Sequence, residues 1–242
     1  MNETKDLTTA NRLRDTFLKL LRGQIGTGIY VWGGNGEILD EMKDPIGWIL
    51  QHETSRENAQ RVFRLYAKRV DDGVKPIRAF DCSGLVYWAL KAIGVQRSDV
   101  SSRGLFALCK PIEENELCPG DLVFHHDGKQ IVHVGVCDGE AQIECRGRDV
   151  GVVRNARKPG YWNRFGRLTA FAVEPQEVVA ILGGSVRVRE GDSVAARCVG
   201  IVHRGETYPL TGVGASGWYR ILWRGIEVYI TNKPQYTEVR RG

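Results

Sequence analysis

The 242-residue chain has no run approaching the roughly 18 apolar residues that a membrane-spanning helix needs. Its opening stretch, MNETKDLTTANRLRDTFLKLL, lacks the apolar centre and small-residue cleavage site of a secretory leader. No cluster of Lys and Arg is dense enough for a nucleic-acid surface, and the formal charge of +5 gives only a mild pull toward anionic surfaces. The six cysteines, at 82, 109, 118, 137, 145 and 198, include no CxxC and no Cys/His spacing typical of zinc. Cys109, Cys118, His125 and His126 therefore read as buried thiols and loop histidines, not as a metal cluster. A disulfide framework is not expected in a chain of this size without secretory features. The glycine-rich GQIGTGIYVWGGNG has no GK[ST] and no strand-then-helix setting, which excludes a phosphate loop.

What is present is ordinary for a globular protein with a real core: 42% hydrophobic and 26% charged residues, in a chain longer than one average domain. Leu13, Phe17, Leu20 and Leu21 recur at helical spacing, and Gly23 marks the end of that helix. A second helix is expected in ENAQRVFRLYAKRV, with Val62, Leu65, Tyr66 and Val70 on one face. FDCSGLVYWALKAIGV follows. Its Leu85, Val86, Trp88, Ala89, Leu90 and Ile93 leave almost no polar face, so this helix should be buried, and Gly94 is a natural stop. CPGDLVFHH reads as a Pro-Gly turn before a strand, QIVHVGVC and AQIEC as a hairpin about Asp138-Gly139, and RLTAFAVEP as a closing strand. That strand closes a first domain over residues 1–175. From 179 to 242 the pieces SVRVRE, GWYRILW and IEVYI, broken by glycine turns, predict a small all-β barrel.

Two local arguments point to chemistry. Cys82 follows Asp81 in what should be the first turn of the buried helix, where free amide N–H groups and the helix dipole favour an anion at the sulfur. A two-residue turn at Asp138-Gly139 would set Cys137 opposite Glu140 and His133 opposite Glu144. Opposed side chains have Cβ atoms roughly 4.5–5.5 Å apart, close enough for a carboxylate to hold an imidazole. That is the base and orienter a nucleophilic cysteine requires. The same register sets Cys145 opposite Val132, on the other face. A three-residue loop would instead set Cys145 opposite His133, so the pairing depends on the turn.

In order along the chain, YVWGG (30–34), FDCSGLV (80–86), PGDLVF (119–124), HVGV (133–136) and IECRGRDVGVV (143–153) resemble the motif series of the NlpC/P60 family, over about residues 10–175. The resemblance implies a papain-like α+β fold with the nucleophile heading a helix packed on an antiparallel sheet. It also implies hydrolysis of the bond from γ-D-glutamate to a diamino acid in peptidoglycan stem peptides, without metal or organic cofactor. By position it makes Cys82 the nucleophile, His133 the general base and Glu144 the orienting third residue. Glu144 departs from the family's commoner His, Asn or Gln, and a carboxylate stabilises an imidazolium more strongly than an amide does. Tyr30, Asp81 and Ser83 match positions that shape the substrate end of the site, with Asp81 also read as an N-cap. The stretch between YVWGG and FDCSG is long for the family and reads as a lid or a spacer.

In the second part, GGSVRVREG, HRGETYPL and GWYRILWRGIEVYI resemble bacterial SH3-like (SH3b) domains, which implies a module that binds wall peptide or lines a neighbouring site. The lack of a leader fits a chain held in the cytoplasm until lysis or phage action, and equally a leader-trimmed extracellular or cell-wall protein. The rival readings are an N-acetylmuramoyl-L-alanine amidase or an acyltransferase on the same Cys-His framework, and a non-catalytic wall-binding or phage-tail structural protein.

Overall fold

Helix α1 (Thr4–Arg22) sends Phe17, Leu18 and Leu21 fully into the core and stops at Gly23, as the spacing predicts. It opens a computed structural model that describes residues 4–171 and 177–241, in a chain that divides into two compact units, 1–173 and 174–242. Pro175, where the sequence closes its first domain, lies outside the described residues.

In the first unit, β1 (Ile29–Tyr30), β2 (Asn35–Ile38) and β3 (Arg78–Phe80) form a small sheet in the order β1-β3-β2. Between β2 and β3 lie α2 (Pro45–His52) and α3 (Arg56–Asp71), capped by the side chains of Asp44 and Ser55. Ile49, Ala59, Val62 and Leu65 from these helices close on Ile29, Val31, Leu39, Ile77 and Ala79. The long intervening stretch thus carries a hydrophobic core of its own. Tyr66 packs against that core, but Val70, one residue from the end of α3, is 52% exposed, contrary to its place on the expected buried face.

Helix α4 (Cys82–Ala92) is buried along Leu85, Val86, Ala89 and Leu90, and the chain turns at Gly94. After α5 (Ser102–Ala107) come β4 (Cys109–Ile112), β5 (Leu122–His126), β6 (Ile131–Asp138), β7 (Ala141–Cys145), β8 (Val152–Ala156) and β9 (Arg164–Leu168). They form an antiparallel sheet in the order β4-β9-β5-β6-β7-β8. Phe17, Leu85, Val86, Leu90, Phe124, Val134, Val136 and Ile143 share one core, so α1 and α4 pack on this sheet. The closing strand falls earlier than expected, since Thr169–Phe171 form a turn. Before β5, the Asp121 carboxylate is fully buried. It accepts a two-pronged contact from Arg167, at 2.9 and 2.8 Å, and the Cys118 amide at 2.8 Å.

The β6–β7 hairpin corrects the expected register. Asp138 pairs with Ala141, Cys137 with Gln142 and Val136 with Ile143, so the turn residues are Gly139 and Glu140. Gly139 has φ of +72° and Glu140 is not among the positive-φ residues, the glycine-first pattern of a type II′ turn. Asp138 stays in the strand because its carboxylate is held by Arg22 and by Arg154, whose Nε lies 2.7 Å away.

The second unit comprises β10 (Glu177–Ile181), β11 (Ser185–Arg189), β12 (Cys198–His203), β13 (Thr207–Val213), β14 (Tyr219–Trp223), β15 (Ile226–Ile230) and β16 (Thr237–Arg241). Val179, Ile181, Val186, Val188, Val202, Ile221, Trp223, Val228 and Ile230 form its core, and Tyr219, not Trp218, packs against it. The strand order is β12-β11-β15-β14-β13-β10-β16. The unit is all-β as expected, and among the described residues no pairing joins β12 to β16, so no closed barrel is found.

Candidate active site

The N-terminus of α4 is organised by Asp81. Its Oδ1 accepts the Gly84 amide at 2.7 Å and the Ser83 hydroxyl at 3.0 Å, and its Oδ2 accepts the Gly33 amide at 3.1 Å. The N-cap role of Asp81 is therefore met, and it also ties the YVWGG loop to the helix. That loop comes very close. The Asp81 amide donates to the Gly34 carbonyl at 2.9 Å, and a Cβ placed on Gly84 would lie 1.9 Å from the same oxygen. Only glycine permits this approach. Gly84 and Leu85 donate to Asp81, leaving the Cys82 and Ser83 amides without an intrahelical acceptor.

Cys82 is half-buried and opens onto a cavity of about 350 Å³. Tyr30, Asp81 and Ser83 line it, as do Trp32, Arg146 and Arg148. His133 reaches the same cavity from β6, on the wall beside Cys82. Its Nε2 lies 2.8 Å from Glu144 Oε2. The structure thus brings Cys82, His133 and Glu144 together, and Tyr30, Asp81 and Ser83 around the same opening.

The electrostatics favour a charged pair. Burial pushes the His133 imidazole down, but the neighbouring Cys82 and Glu144 outweigh it and hold the ring up at about 9. Burial pushes the Glu144 carboxyl up, and His133, Gln142 and Asn155 more than offset it, leaving it below the usual carboxylate range. Gln142 Nε2 donates to Glu144 Oε1 at 3.2 Å, on the oxygen that His133 does not use. Tyr30 is buried, and burial together with Cys82 and Asp81 keeps its phenol protonated.

Burial pushes Cys109 up to about 12 and Cys137 up to about 11, and it raises Cys118 and the fully buried Cys145 as well. Cys109, Cys118, His125 and His126 do not converge. The His125 Nδ1 lies 2.7 Å from the Tyr161 carbonyl, and the His126 Nδ1 accepts the Gly128 amide. Among the described residues no group of three or more His, Cys, Asp and Glu side chains is placed to hold a metal ion. No helix among them is long and apolar enough to cross a membrane.

Sequence reasoning missed several contributors. Trp162 stacks on the His133 ring, with centroids 5.5 Å apart. Glu53, from the intervening stretch, accepts the Trp32 amide at 3.1 Å and the Arg148 Nε at 2.7 Å, joining two walls of the cavity. The guanidinium of Arg148 lies 5.0 Å over the Tyr30 ring. Arg146 and Arg148 stand two residues apart just after Glu144, a spacing that could have suggested a shared face. Nothing local pointed to Trp162 or Glu53.

The chain is similar to known proteins over part of its length. The chain is 36% identical over 103 residues to the bifunctional muramidase/DL-endopeptidase CwlT of Bacillus subtilis, covering 40% of this chain and 31% of that protein. It is 35% identical over 99 residues to the murein DD-endopeptidase MepH of Escherichia coli, covering 38% and 36%. The chain thus spans about a third of the length of these curated relatives. Among solved structures, the P60 domain of the antigen MAP1204 from M. avium subspecies paratuberculosis is similar at 22% identity and a TM-score of 0.44, covering 66% of this chain and 96% of that one. The family profile described as NlpC/P60 matches residues 26–166, more than half of the chain, and the chain belongs to the NlpC/P60 family.

Proposed function

We propose that the chain is a peptidoglycan endopeptidase that uses Cys82 as a nucleophile on stem peptides. One observation carries the reading: the Cys82 thiol and the His133 imidazole line one cavity, and that imidazole is held 2.8 Å from the Glu144 carboxylate. A thiol beside an imidazole that is itself held by a carboxylate transfers its proton to the ring, and the thiolate attacks the scissile carbonyl. The Cys82 and Ser83 amides offer donors to the oxyanion. The His133 imidazolium then protonates the departing amine as the C–N bond breaks, and the neutral imidazole takes a proton from the water that hydrolyses the thioester.

The bond we favour joins γ-D-glutamate to the diamino acid, in keeping with the motif series and with a relative named as a DL-endopeptidase. A second reading, cleavage of a D,D crosslink, draws on the relative named as a murein DD-endopeptidase. Tyr30, Asp81 and Ser83 are assigned to the substrate end because they line the cavity. Both Asp81 oxygens already accept hydrogen bonds, so its first task is to hold the cysteine turn and the loop in place. The strand-rich second unit is assigned to wall binding of the SH3-like kind. Digestion of defined muropeptides followed by mass spectrometry tests the reading. A new amino group on the diamino acid supports it, one on D-alanine-linked crosslinks supports the second reading, and one on L-alanine would make the chain an amidase.

A further inference from the structure

The cavity in front of Cys82 is lined by two guanidinium groups for which the cysteine chemistry has no use. They sit on one short turn, Arg146-Gly147-Arg148, that leaves β7 just after Glu144 and Cys145. Arg148 is firmly held. Its Nε donates to Glu53 at 2.7 Å, the Glu53 side chain is 0% exposed, and Arg148 itself is 15% exposed. Its plane lies over the Tyr30 ring, 5.0 Å from the centroid. This leaves the two terminal amino groups of Arg148 without a hydrogen-bond acceptor among the described residues.

Arg146 is different. Its side chain is exposed and has no hydrogen-bond or ion-pair partner among the described residues, although it lines the cavity. The Asp81 carboxylate, on the same cavity, already accepts from Gly33, Ser83 and Gly84. A fixed guanidinium and a free one, both with unused donors and both on residues that line the space before a nucleophile, are a setting for a carboxylate.

We propose that Arg146 and Arg148 are specificity-determining residues that bind the free α-carboxylate of the γ-linked glutamate, so that the enzyme selects stem peptides with glutamate over those in which that carboxylate is amidated. This rests on the γ-D-glutamyl reading above. A γ-linked glutamate must present an α-substituent close to its scissile carbonyl, and glutamate and isoglutamine differ there only by charge and by the acceptor pair. An amide offers one acceptor oxygen and two donors, and those donors face cationic donors in the cavity. Glu53 acts through Arg148 as a positioning residue.

The test uses the full chain and two synthetic peptides, L-Ala-γ-D-Glu-diamino acid and its isoglutamine counterpart, with kcat/KM measured for each. The wild type is expected to favour the carboxylate by about tenfold or more, the scale of a hydrogen bond to a charged group. Arg146→Gln, at an exposed position without protein partners, should fold as the wild type does by circular dichroism and bring the ratio close to one. Arg146→Lys, which keeps the charge but loses the fork, should fall between. Equal cleavage of the two peptides by the wild type, or a preference that survives in Arg146→Gln, overturns this inference and leaves the proposed bond standing. Cleavage of neither peptide, or cleavage at another bond, overturns the proposed bond and this inference together.

Discussion

His133 and Glu144 are joined at 2.8 Å although they do not face each other across the hairpin. The residue opposite Glu144 is Gly135, where an added Cβ would lie 3.4 Å from that of Glu144. His133 stands two residues further along β6, on the same face, as the diagonal neighbour. A diagonal pair lies farther apart than an opposed one, but long side chains reach across it. The missing side chain at Gly135 leaves room for the Trp162 ring, which stacks on the imidazole.

This contact sets the pH dependence. His133 is raised from its ordinary 6.5 to about 9, so its contribution to folding is full below 6.5 and is lost as pH rises through about 9. Glu144 is lowered from 4.5, so its contribution is present above 4.5 and is lost as pH falls through the depressed value. Since the imidazolium protonates the leaving amine, kcat/KM should fall on the alkaline side near pH 9. Glu144→Gln removes the charge that favours the imidazolium and should move this limb toward lower pH while leaving substantial activity. Glu144→Ala, which removes the partner itself, should cost about tenfold to a hundredfold. An alkaline limb that stays in place in both variants would separate Glu144 from the titration of His133.

Asp121 bears on stability and not on chemistry. Its buried carboxylate faces Arg167, and the charge of Arg167 in turn weighs on the largely buried Arg14. Asp121→Ala leaves both cations without that carboxylate and should destabilise the first unit by about 3–5 kcal/mol, read from the denaturant midpoint. A loss under about 1 kcal/mol would mean that the pair adds no more than a surface bridge does.

Gly84 is a steric prediction. Gly84→Ala drives a methyl into the Gly34 carbonyl, a backbone atom that cannot swing aside as a side chain can. A cost of about 1–3 kcal/mol or more is expected, together with displacement of Cys82 and loss of turnover. Wild-type turnover with unchanged stability would show that the loop and helix can separate freely.

Removal of residues 177–242 tests the assignment of the second unit. If the unit binds wall material, binding to intact sacculi should fall more than cleavage of small soluble peptides. Equal losses on both would tie the unit to the chemistry instead.

The sequence made legible whatever rests on neighbours along the chain. Cys82 at the start of α4 was readable because the cap, Asp81, is the adjacent residue. The His133–Glu144 face was readable because strand parity survives a shift of two residues, even though the turn lies at Gly139-Glu140 and not at Asp138-Gly139. That shift depends on Arg22 and Arg154 holding Asp138, and neither is local to the turn. Glu53 and Trp162 escaped for the same reason: each meets the site through folding, with no motif around it. The second unit was legible as strands and not as a strand order, because strand composition announces strands but not their partners. Edge strands β12 and β16 are set by pairings across the whole unit.

The central claim is that Cys82 performs the attack, and it is tested most directly by trapping. Cys82→Ala and Cys82→Ser should fold normally and lose hydrolysis of stem peptides, whereas Cys109→Ala and Cys118→Ala should retain it. Within the catalytic unit, burial raises the thiols of Cys109, Cys118, Cys137 and Cys145 and suppresses their thiolates. Mass spectrometry of the native protein after brief treatment with a thiol-alkylating probe should therefore find the label on Cys82 ahead of these four, with activity lost in step with that modification. Full activity after complete alkylation of Cys82, or near wild-type turnover in Cys82→Ala, would contradict the account.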